Sequence, residues 1–178
     1  MKIYIFTFIL FLLSIIRIDA KNINKDDLLH SVRYLPDSTR LQMLEKYASE
    51  HVIQDIDKTY IDALLEEAQK LHNDKYIGKA CFLYAELYYS TNHDSMRIYM
   101  KKGEPYLLKN GLLEEAFRMR SWNIYALVSD NKNERILPEV QTMISLARKM
   151  HFHDGEELAN HSLANFYLNT GMQEEGIR

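Results

Sequence analysis

The sequence predicts an all-α fold, an α-solenoid of antiparallel helical hairpins, and three observations carry that expectation. The first is an internal echo at an offset of 79 residues. Ala68-Gln-Lys-Leu-His-Asn runs into Ala80, Ala85, Tyr88 and Thr91, and Ala147-Arg-Lys-Met-His-Phe runs into Ala159, Ala164, Tyr167 and Thr170. Small residues meet small ones, Lys70 meets Lys149 and His72 meets His151; the offset is about two units of a helical repeat of ~34–47 residues. The second is apolar spacing at helical period, as in Leu41, Leu44, Tyr47 and Ala48, then Leu83 and Leu87 with Tyr84 and Tyr88. The third is that no stretch alternates as a half-buried strand does, while the six glycines and three prolines read as helix punctuation.

The elements follow in chain order. Residues 1–20 read as a secretory signal peptide: Lys2, an apolar run from Ile3 to Ile16, then Ile18 and Ala20 at the small-residue cleavage positions. Ile18 is bulky for that role, which leaves an uncleaved N-terminal anchor as the alternative. The remaining body is expected to be exported, periplasmic or secreted, and its formal charge goes from −3 to about −4 once Lys2, Arg17 and Asp19 leave. Residues 21–37 form a leader whose Leu28, Leu29, Val32 and Leu35 cover the first hairpin. Helices are expected at 38–51, 57–72, 76–90, 94–109, 112–129, 134–151 and 155–169, with a stub from 171. They pair as hairpins over 38–72, 75–110, 112–151 and an incomplete 155–178, with a small insertion near Gly111–Ala116. Pro36-Asp37-Ser38 precedes the first run and Gly111 follows Leu107-Leu108. Asp154 with Glu157, and Thr170 with Gln173, have the spacing of capping boxes.

Leu163-Ala-Asn-Phe-Tyr167, then Gly171, then Glu174-Glu-Gly176-Ile resembles the first helix, turn and second-helix start of a tetratricopeptide repeat (TPR). Trp122-Asn-Ile-Tyr125-Ala126, Tyr84-Ala85-Glu-Leu-Tyr88 and Tyr47-Ala48 are degenerate versions, and the likeness covers about residues 37–178. In such a unit Ala85, Ala126 and Ala164 let paired helices approach, and Tyr88 and Tyr167 fill the space one turn on. The export signal, Pro-Asp-Ser-Thr-Arg and the repeats together look like the N-terminal periplasmic region of Bacteroidetes sensor histidine kinases and helix-turn-helix regulators. That likeness implies a TPR-type superhelix, a sensing role in signal transduction and a longer chain. The stub Gly171–Arg178 is too short to close a fourth hairpin, so Leu163, Phe166 and Tyr167 lose part of their cover. The expectation is an incomplete chain; the alternative is a free-standing scaffold or adaptor that dimerises through this open end.

Little in the sequence points to catalysis. A mildly acidic body without a basic block is poor material for nucleic-acid binding, which depends on phosphate neutralisation. Cys81, the one cysteine, sits on an apolar helix face and reads as a buried, inert thiol. His151, His153 and His161 lack a completing cysteine or carboxylate, so no metal site is expected. The adjacent acids Glu66-Glu67, Glu114-Glu115, Glu156-Glu157 and Glu174-Glu175 point in different directions on a helix and form no facing pair. No phosphate loop, nucleophile elbow or dinucleotide fingerprint is present, and neither an enzymatic activity nor a cofactor is expected. What remains is a binding surface. Glu86, Tyr89, Asn123 and Asn165 fall on the first helices of their hairpins, the inner face where repeat stacks hold a protein or peptide. A membrane enters only through an uncleaved signal or a continuation of the chain.

Overall fold

The structure, a computed structural model, describes residues 25–52 and 58–171. All its regular elements are helical: α1 (Lys25–Val32), α2 (Asp37–His51), α3 (Thr59–Lys70), α4 (Asp74–Tyr88), α5 (His93–Lys109), α6 (Leu113–Ser129), a 3₁₀ turn (Asn133–Arg135), α7 (Ile136–Lys149) and α8 (His153–Asn169). The seven longer helices lie where the apolar period predicts them. The signal at residues 1–20 and the stub beyond Gly171 lie outside the described residues. No described helix is long and apolar enough to cross a membrane.

Each helix from α3 to α8 packs on the one before it, and the even helices also touch one another: α2 on α4, α4 on α6, α6 on α8. α1 lies against α3, with Leu28 and Val32 fully buried there. One continuous apolar cluster runs from Leu28 to Ala159, and polar ties cross it. Arg40 reaches Glu67 on α3 at 2.8 Å, an ion contact rather than an aligned hydrogen bond, and also donates to the carbonyls of Arg33 and Leu35 at 3.0 and 3.3 Å. Lys79 of α4 pairs with Glu45 of α2, and Arg120 of α6 holds both Glu104 of α5 and Glu139 of α7.

Four turns end in one geometry. Asn73, Leu112, Lys132 and Phe152 donate their N–H groups to the carbonyls of Ala68, Leu107, Leu127 and Ala147 at 2.9–3.0 Å. The residues just before those donors, His72, Gly111, Asn131 and His151, have φ of 50°, 72°, 56° and 53°. This is the Schellman close, which satisfies carbonyls a helix end would otherwise leave unpaired. It explains the paired histidines of the internal echo: His72 and His151 stand at the left-handed residue of equivalent turns. The turn at Gly111 closes in the same geometry as the others.

Two expectations are corrected. Glycine and proline are not only punctuation, because Gly78, Gly103 and Pro105 lie inside α4 and α5. A Cβ on Gly103 would sit 2.4 Å from the Cβ of Cys81, so the missing side chain is what lets these two helices close. Second, α8 starts at His153 with Phe152 as its N-cap and no side-chain cap, so Asp154 and Glu157 form no capping box. Thr170 is the C-cap of α8 and donates back to the Phe166 carbonyl at 2.9 Å, while Gln173 lies outside the described residues. The side-chain caps are Asn73 on Tyr76 N and Asn92 on Ser95 N, at 3.4 and 2.9 Å.

Candidate functional site

The end of α4 and one face of α6 enclose a groove. Along α6, Arg118, Trp122, Tyr125 and Ser129 stand at helical spacings of four, three and four, which keeps them on one face. The opposite wall is Glu86, Tyr89 and Ser90 at the end of α4 and His93 at the start of α5. Two cavities of about 420 and 450 Å³ lie along these walls and adjoin at Tyr89, Ser90 and Trp122, which line both.

Its floor is an aromatic stack. Trp122 stacks on Phe82 at 5.2 Å between ring centroids and on Tyr89 at 5.5 Å. Trp122 therefore lies against both aromatic rings of the α4 segment. Arg118 adds charge to the floor. Its guanidinium lies 5.3 Å from the Phe82 ring centroid and 5.5 Å from that of Trp122, within cation–π range. It stands 3.7 Å from the Glu86 carboxylate. Burial pushes the Glu86 carboxyl above its ordinary value, and Arg118 pulls it partly back.

The far end of the groove is fixed by a second polar cluster. Asp130, at the C-cap of α6, is contacted by His93 Nδ1 at 2.7 Å, Arg97 at 2.5 Å and Lys132 at 3.4 Å. Hydrogen bonds from His93 and then Arg97 hold its carboxyl well below the usual carboxylate range.

The four residues expected on the groove divide. Glu86 and Tyr89 line it. Asn165 supports it, donating to the Tyr125 hydroxyl at 2.8 Å. Asn123 does not reach it: it is buried and accepts from Arg97 Nε at 3.1 Å. Helical geometry turns each residue about 100° from its neighbour, so Asn123 faces α5 while Trp122 faces the groove. Arg118, Trp122 and His93 were not expected on the groove: Trp122 belongs to a degenerate repeat motif, and scattered basic residues on helices also fit solvated faces. The spacing Arg118, Trp122, Tyr125 was the available signal.

The other chemistry-bearing residues do not converge. Among the described residues no three His, Cys, Asp or Glu side chains gather as a metal cluster. His151 and His153 are exposed, and His161 Nε2 is 2.9 Å from the Asn165 amide. Cys81 is fully buried, and burial pushes its thiol up to about 11, which keeps it protonated and unreactive at neutral pH. Glu66 and Glu67 diverge, Glu66 outward and Glu67 into the Arg40 contact.

No family model matches this chain, and no curated protein or solved structure is significantly similar to it, so its function is read from the groove itself.

Proposed function

We propose that this protein is a peptide-binding module of tetratricopeptide type that holds an extended segment of a partner protein between α4 and α6. The carrying observation is the groove: a stacked aromatic floor, a half-exposed Tyr89 ring, and polar groups at both ends on rigid helices. Shape and composition both suit a chain rather than a small molecule, since both cavities stay open along a helix face. From Arg118 to Ser129 the wall is eleven residues of helix, about 16 Å, the span of roughly five extended residues.

Two further features support the repeat reading. The Schellman closes ending α3, α5 and α7 recur at residues 68, 107 and 147, in steps of 39 and 40. The even helices contact one another in series, as the first helices of stacked hairpins do. We extend the reading to an exported protein, on the strength of residues 1–20, acting as the sensing portion of a signal-transduction receptor.

A mixture of degenerate pentapeptides, acetylated and amidated at their ends, tests the binding. Trp122 is the only tryptophan and stands in the groove wall, so its emission reports occupancy. A saturable change whose midpoint Tyr89→Ala moves about tenfold to higher peptide concentration is the expected result; unchanged emission up to millimolar peptide contradicts the reading. Export is tested separately by fractionating cells for the mature chain, and recovery only in the cytoplasm overturns that part.

A further inference from the structure

We propose that the groove selects peptides carrying an acidic side chain, whose carboxylate meets Arg118 while a neighbouring aromatic side chain of the ligand stacks on Tyr89. This rests on the peptide-binding reading above and adds the chemistry of the ligand.

The charged groups of the groove are unequally committed. Asp130 is contacted by His93, Arg97 and Lys132, so its carboxylate is already engaged, by two cationic side chains among others. Glu86 is only 18% exposed and sits beside Arg118. Of the pair, Glu86 is the more enclosed and Arg118 the more exposed. Arg118 is 44% exposed, and its one ion contact among the described residues, at 3.7 Å, is too long for a hydrogen bond. It is therefore a planar fork of donors beside the cavity, with two aromatic rings within cation–π range. Such a fork matches a carboxylate bidentately, whereas a lysine in its place offers only a point charge.

The aromatic half of the ligand follows from Tyr89. Trp122 covers one side of its ring, yet the residue remains 42% exposed and lines both cavities. An offset-stacked ring is the contact that covers such a surface with the best geometry. Arg118 and Tyr89 both border the first cavity, so an acidic residue and an adjacent aromatic one reach them together.

The experiment uses four end-capped glycine pentapeptides with Phe-Asp, Phe-Asn, Phe-Lys or Ala-Asp at the centre, so that no terminal carboxylate contributes. Affinities come from Trp122 emission. In the unaltered protein the Phe-Asp peptide is expected to bind about tenfold more tightly than Phe-Lys, and more tightly than Phe-Asn and Ala-Asp. Arg118→Gln removes the preference for Asp over Asn, while Arg118→Lys retains part of it and keeps the side chain's packing on Phe82. Both variants are checked for unchanged helicity. Peptides that bind without charge preference, or with Phe-Lys favoured, overturn this inference and leave peptide binding standing. If none of the four perturbs Trp122, peptide binding falls with it.

Discussion

The left-handed residues of the turns allow backbone cost to be separated from contact. Gly111 has φ 72° and nothing within 4 Å of where a Cβ would be. Gly111→Ala therefore meets no neighbour, and its effect is the cost of the conformation, about 1 kcal/mol of lost stability. The reverse holds at His151, an exposed side chain at φ 53°. His151→Gly is expected to raise stability by about 0.5 kcal/mol, the relief of strain less the entropy glycine adds to the unfolded chain. Urea unfolding of both variants checks the pair. The opposite ordering would mean that the His151 side chain contributes more than its backbone costs. The echo between His72 and His151 was legible in the sequence as a coincidence of type; its cause, a positive φ at equivalent turns, was not.

At the scale of helices, close approach and charge hold neighbours together. Gly103→Ala places a methyl group 2.4 Å from Cys81 Cβ, and one helix must shift. The expected loss is about 1–3 kcal/mol, as for overpacking elsewhere, read as a lower urea midpoint. Asp130 joins the end of α6 to α5, and its linkage with pH has a definite sign. Its folded-state carboxyl lies below the ordinary value of 3.8, so its stabilisation is complete above about pH 4 and fades as pH falls below. Asp130→Asn should thus lower the urea midpoint at pH 7 and change it less at pH 3; an equal loss at both values contradicts the charge pairing. Helices were well legible because apolar period survives without knowledge of partners. Caps were less so. Asp154 and Glu157 have capping-box spacing, but the chain enters α8 two residues earlier and leaves Asp154 inside the first turn. Gly103 and Pro105 were misread for a related reason: a tight interhelical contact and an exposed proline are decided by the neighbouring helix, not by local spacing.

For the whole molecule, the described helices form one packed body with a groove on the face that joins α4 and α6. Half of the candidate site was legible in the sequence. Glu86 and Tyr89 stand on the groove because they lie on the side of the α4 end that borders the cavities, whereas Asn123 faces α5 because one residue of helix turns the side chain away. Arg118 and Trp122 carry the charge and the floor, and only the approach of α4 to α6 distinguishes them from a solvated basic residue and a core ring. Tyr89→Ala removes an exposed platform and should weaken peptide binding by about tenfold while leaving the urea midpoint nearly unchanged. The most direct test of the central claim is an amide chemical-shift map of the isotope-labelled protein as the end-capped Phe-Asp pentapeptide is added. The account predicts shifts concentrated at 86–93 and 118–129. Shifts centred instead on the exposed sides of α5 and α7, around Ile98 and Leu137, would contradict it.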